Sequence, residues 1–144
     1  MARVAEILAS KGGHVRRTSP ETTAYAAIAE MLAQGIGSLL VTEGDAIVGI
    51  FTERDYLRRV LLQDLDPRAT RVGDVMTSRI VCVEPSRPIA DCMAIMTRQR
   101  FRHLPVVDDG RLVGVVSIGD VVKHLSAERE VEVRYLTDYI SGRL

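Results

Sequence analysis

The apolar positions of this chain follow two alternating rules. In Leu39-Leu40-Val41-Thr42 and Ile47-Val48-Gly49-Ile50-Phe51, short apolar runs flank Glu43-Gly44-Asp45. Acidic residues and glycine between apolar runs predict a β-hairpin. Upstream, Ala24, Ala27, Ile28 and Met31 fall at i, i+3, i+4 and i+7, the stripe of an amphipathic helix. The same order returns further along. Ile89, Cys92, Met93 and Met96 form a second stripe, and Leu104–Val107 and Leu112–Val116 flank Asp108-Asp109-Gly110.

The recurrence is an internal repeat. A shift of 65 residues superimposes the copies without a gap, pairing Pro20 with Pro85, Met31 with Met96, Leu39 with Leu104, Gly49 with Gly114 and Asp55 with Asp120. Each copy opens on a β-rich run, His14–Thr18 and then Arg79–Val83, and closes on a helix, from about Glu53 to Gln63 and from about Ile118 to Leu125. The unit reads βαββα, which predicts a mixed α+β fold. Asp64–Thr70 reads as the linker. Val4, Ile7 and Leu8 predict a short N-terminal helix. Val133, Leu136 and Ile140, with Tyr135 and Tyr139 beside them, predict a C-terminal helix that packs on the body or on a second subunit.

Composition narrows the function classes. The chain has 144 residues, 47% apolar and 26% charged, an ordinary globular balance. No apolar run reaches the roughly 18 residues of a membrane span, and the first residues lack the apolar core of a secretory signal. A cytoplasmic protein without membrane association is the expectation. Nineteen basic residues balance nineteen acidic ones, which argues against a general nucleic-acid binder. Cys82 and Cys92 are too few for a disulfide framework and read as buried thiols. His14, His103 and His124 lack ligand spacing, so no metal is expected. No nucleophile elbow, Walker loop or dinucleotide fingerprint appears, so the chain does not read as an enzyme. Arg58-Arg59 reads as a solvated helix face.

One motif recurs in register: Gly49-Ile50-Phe51-Thr52-Glu53-Arg54-Asp55 and Gly114-Val115-Val116-Ser117-Ile118-Gly119-Asp120. A hydroxyl residue three positions before an acid resembles a capping box at a helix start. Two copies, each between a strand and a helix, point to more than a cap.

With Phe101-Arg102-His103-Leu104-Pro105-Val106-Val107-Asp108, Val72-Gly73-Asp74-Val75-Met76-Thr77 and Thr52-Glu53-Arg54-Asp55-Tyr56, the sequence resembles a tandem pair of CBS (cystathionine-β-synthase) domains, a Bateman module. The resemblance assigns residues 12–69 to the first domain and 73–132 to the second. It implies two repeats about a pseudo-twofold axis, clefts between them that bind adenosine-containing ligands, and a homodimer. Asp55 and Asp120 would accept hydrogen bonds from both ribose hydroxyls, since a carboxylate offers two acceptor oxygens. Thr52 and Ser117 would sit beside ribose or phosphate. Arg102 and His103, with Arg100 nearby, stand where the family often contacts phosphate, whereas the first repeat has Gly37 and Ser38 there. Lys11-Gly12-Gly13-His14 would line the Asp120 cleft, its glycines letting backbone approach the adenine, and Met76-Thr77-Ser78-Arg79 the Asp55 cleft. The implied function is a non-catalytic sensor of an adenine nucleotide, AMP first, with ADP, ATP, NAD or S-adenosylmethionine as other ligands, signalling to an effector protein. The other reading is a ligand-independent homodimeric scaffold whose motif residues only cap helices.

Overall fold

A computed structural model describes residues 2–141. Its α+β chain forms two compact units, neither continuous in sequence. One takes residues 14–82 and 107–113; the other takes the residues up to Gly13, residues 83–106 and those from Gly114 on.

In the first of these units, β1 (Arg17–Thr18) pairs in parallel with β2 (Ser38–Glu43), and β2 pairs antiparallel with β3 (Ala46–Thr52). Gly44, at φ 61°, supplies the left-handed residue of the two-residue turn. Between β1 and β2 lies α2 (Ala24–Gln34), capped by the Thr23 hydroxyl on the Ala26 N–H and ended by Gly35 in the left-handed conformation. Its predicted stripe is the buried one: Ala24, Ala27 and Met31 join Leu39, Val41, Phe51, Val60, Val72 and Val75 in one core. After β3, α3 (Glu53–Asp55) runs on as a wider π-type helix, Tyr56–Leu61, where the Leu62 N–H reaches back five residues to the Leu57 carbonyl. A short α4 (Val72–Val75) closes the unit.

The second unit holds α1 (Val4–Lys11), α5 (Ile89–Gln99) and α6 (Ile118–Ile140). The strands β4 (His103–Asp108) and β5 (Arg111–Ser117) make a hairpin whose turn residues Asp109 and Gly110 both have positive φ, 52° and 77°. Buried here are Val4, Ile7, Val83, Ile89, Cys92, Met96, Leu104, Val106, Val116 and Val121. Residues of α1 tie to the start of α5: the Val4 N–H donates to the Arg87 carbonyl, the Ala5 N–H to that of Pro85, and the Ile89 N–H to that of Ala2.

Three expectations need correction. The strand expected over Arg79–Val83 shrinks to a single parallel bridge, Val83 to Val106. In the first repeat the Leu40 N–H donates to the Arg16 carbonyl; the residue in register in the second repeat is Pro105, which has no N–H to give. Side chains alternate along the extended segment, so Val83 is buried while Cys82, expected inside, is exposed. The two C-terminal helices are one. The polar run Ser126–Glu130 has no Gly or Pro, and its Ala, Glu and Arg residues favour helix, so α6 continues through it for 23 residues, about 35 Å. Its late stripe does not pack on the body: Val133, Leu136 and Ile140 are 62%, 54% and 83% exposed. The side chains of Tyr135 and Tyr139 lie outside the described residues.

Candidate functional site

Both motif carboxylates are built by the same local geometry. The Thr52 hydroxyl accepts the Asp55 N–H at 3.0 Å, and Asp55 Oδ2 accepts the Thr52 N–H at 3.1 Å. The Ser117 hydroxyl accepts the Asp120 N–H at 3.1 Å, and Asp120 Oδ2 accepts the Ser117 N–H at 2.9 Å. These are two reciprocal capping boxes, each at a strand-to-helix junction. A further bond recurs in register. The Glu53 N–H donates to the Gly37 carbonyl at 3.1 Å, and the Ile118 N–H to the Arg102 carbonyl at 2.9 Å. Gly37 and Arg102 thus stand beside the two helix starts, as expected, followed by the half-buried Ser38 and His103.

The copies differ in what meets the carboxylate. At Asp55 it is Thr77, whose hydroxyl donates to Oδ1 at 3.0 Å and lies 3.3 Å from Oδ2. Thr77 is held by two backbone hydrogen bonds to Ile50, each 2.9 Å. Gly49 makes this approach possible, because a Cβ there would lie 2.9 Å from the Thr77 carbonyl and 2.6 Å from Met76 Sδ. Arg59 is exposed, as the sequence implied, and is also engaged. It donates to the Met76 carbonyl at 2.8 Å and lies 4.0 Å from Asp55 Oδ1. Ser78 and Arg79 are exposed, and Arg79 is itself engaged.

At Asp120 the partner is Lys11. Its Nζ donates to Asp120 Oδ2 at 2.8 Å and to the Val115 carbonyl at 3.1 Å. Val115 is the repeat equivalent of Ile50, so one ammonium takes both places that Thr77 fills in the other copy. Gly114 matches Gly49: its missing Cβ leaves room for Leu8, one turn before Lys11. The second repeat thus borrows α1 from the start of the chain for the role that residues 76–77 play in the first. The segment Lys11–His14 was expected at this cleft, but for its glycines and not for the lysine; the signal for Lys11 itself was its register with Met76, visible once the 65-residue shift is carried back to the N-terminus.

Electrostatics separate the two sites further. The Asp120 side chain is 25% exposed against 11% for Asp55. Burial pushes the Asp120 carboxyl up, but the Lys11 ammonium, the Ser117 N–H and the Ser117 hydroxyl together hold it below the ordinary carboxylate value. His103 is held below the ordinary imidazole value by burial first, then by the Lys11 charge and by Arg102, against the pull of Asp120. His103 is therefore a neutral imidazole at pH 7, and the cations of this site are Lys11 and the exposed Arg102. Gly13 and His14 are exposed, and His14 starts the other unit. Arg100 ends α5 in the left-handed conformation, where the first repeat has Gly35.

Among the described residues no group of three or more His, Cys, Asp or Glu is placed to hold a metal ion. No helix among them is long and apolar enough to cross a membrane.

Two copies of one unit, each ending in a carboxylate at a capped helix start, define a tandem regulatory repeat rather than a single-site domain. A family model for the CBS domain matches residues 4–62 and 72–127, and the chain belongs to the CBS-domain family as a tandem pair. It is 36% identical over 148 residues to the mitochondrial CBS domain-containing protein CBSX3 of Arabidopsis thaliana, covering 96% of this chain and 72% of that one. A putative signal-transduction protein with CBS domains from Burkholderia ambifaria has a similar structure, with a TM-score of 0.82 and 47% identity over 88% of this chain and 95% of that one. CBSX2, solved in complex with AMP, matches at a TM-score of 0.72 and 26% identity, over 90% of this chain and 99% of that one. The match indicates no enzymatic family.

Proposed function

We propose that this CBS pair is a homodimeric adenine-nucleotide sensor, with AMP its first candidate ligand and the Asp120 site its stronger phosphate site. The observation that carries the reading is the twice-built carboxylate at a strand-to-helix junction, each time met by a polar side chain that a ribose diol can replace. A carboxylate accepts two vicinal hydroxyls, and hydrogen bonds to a charged group are worth about 1.5–3 kcal/mol each. The positive end of the α6 dipole favours an anion, and the backbone of Arg102 is hydrogen-bonded to its first residue. The AMP complex of CBSX2 supports the choice of ligand. Signalling to an effector then follows from differential affinity of the nucleotide for two arrangements of the module.

Calorimetric titration with AMP, ADP, ATP, NAD and S-adenosylmethionine tests this. At least one binds below millimolar concentration, and D120A weakens it tenfold or more by loss of charged hydrogen bonds, about 1.4 kcal/mol per factor of ten. No binding by any of the five at millimolar concentration refutes the reading. A ligand-independent scaffold is the second reading, favoured by the capping boxes, which already give both carboxylates a structural role.

A further inference from the structure

The two carboxylates are not equally available, and the difference lies in the charge of the group that covers each. At Asp55 the hydrogen-bonded cover is a neutral hydroxyl, and the Arg59 guanidinium, 4.0 Å from Oδ1, is held separately by the Met76 carbonyl. At Asp120 the cover is an ammonium 2.8 Å away, on a flexible four-carbon stem. The base of that stem is fixed. Val4 and Ile7 of α1 are buried, Leu8 sits against Gly114, and Gly12, at φ 89°, ends the helix directly after Lys11. The Ser117 N–H on Asp120 belongs to the backbone and stays with the capping box. Lys11 bonds Oδ2, so a diol that takes both oxygens of Asp120 has to displace it.

We propose that Lys11 is a built-in counter-ion that makes the Asp120 site selective for anionic ligands: a diol takes Asp120 only if the same molecule brings an anionic group for the displaced ammonium. The inference rests on the nucleotide reading and adds a specificity-determining residue to it. A neutral nucleoside that displaces Lys11 leaves that charge beside His103, on which the Arg102 charge also bears, with no carboxylate of its own. A nucleotide exchanges one anion for another, so the site's charge balance is kept. Hydrogen bonds between charged groups are about twice as strong as neutral ones, so the exchange favours phosphate over hydroxyl strongly. The Asp55 site carries no such requirement, because releasing the Thr77 hydroxyl strands no charge.

The test compares AMP with adenosine on wild type, K11M and K11R, by calorimetry and by the His103 imidazole resonance, which reports this site. Wild type prefers AMP. In K11M adenosine binds more tightly and AMP more weakly, so the preference falls by about tenfold or more, the equivalent of one charged hydrogen bond. K11R keeps the charge and keeps the preference. An unchanged ratio in K11M, or an equal loss for both ligands, overturns the counter-ion role while leaving nucleotide binding intact. Failure of wild type to bind either ligand overturns both readings.

Discussion

The paired glycines offer the sharpest test of how the two sites are built, because one substitution has opposite costs in the two copies. In G49A the new methyl would lie 2.9 Å from the Thr77 carbonyl and 2.6 Å from Met76 Sδ. The sulfur can swing away, but the carbonyl belongs to backbone bonded twice to Ile50. Overpacking of this kind costs about 1–3 kcal/mol. Weakening the two Ile50–Thr77 hydrogen bonds adds about 0.5–1.5 kcal/mol each. Less the roughly 0.5–1 kcal/mol that alanine returns in a strand, we expect G49A to lose about 1–5 kcal/mol in all. In G114A the methyl would meet Leu8 Cδ2 at 2.6 Å, the far end of a flexible side chain. Replacing a strand glycine by alanine returns about 0.5–1 kcal/mol, so G114A should fall within about 1 kcal/mol of wild type. Urea unfolding at fixed protein concentration measures both. At about 2–4 °C per kcal/mol, G49A should melt roughly 2–20 °C below wild type. Equal losses in the two variants, or an unchanged G49A, would refute the claim that backbone fills the space beside Gly49 and a side-chain tip the space beside Gly114.

Two further outcomes follow from the second repeat. R100G places glycine where the backbone is left-handed, as Gly35 does in the first repeat, and should raise stability by about 1 kcal/mol in the same unfolding assay. His103 titrates below its free value in the folded protein, so the unfolded chain takes up the proton first. Stability should decline as pH falls through about 6.5 and level off below the folded-state value; H103Q should flatten that slope in a melting series, and an unaltered slope would exclude His103 as its source.

The fold was legible where local chemistry and packing agree. The helical stripes at Ala24–Met31 and Ile89–Met96 are the buried faces, and both turns form where glycine follows or separates acids. The motif acids were legible because they recur in register. Less visible was anything that depends on a partner far along the chain. The missing strand at residues 79–82 follows from a proline more than twenty residues away, across a ladder that no local pattern reveals. Arg59 is exposed as expected, but its bond to the Met76 carbonyl, seventeen residues on, was not visible from its own helix. Lys11 lies far along the sequence from its carboxylate; the resemblance put its segment at the cleft, but no local pattern pairs the ammonium with Asp120.

That long reach has a consequence for how the molecule is made. The ribosome delivers α1 well before its seat, since Gly114 and α6 follow it by most of two repeats. An eight-residue helix does not hold in water by itself, so α1 has no settled form while it waits. At about 5–20 residues per second the interval is on the order of ten seconds. During that time the apolar side chains of Val4, Ile7 and Leu8 have no core to enter. The unit that carries Asp120 can close only when both ends of the chain are present. Cutting the linker at residues 64–70 would therefore not yield two self-sufficient halves: the C-terminal piece would lack the helix that covers its core, and with it the lysine that guards its carboxylate.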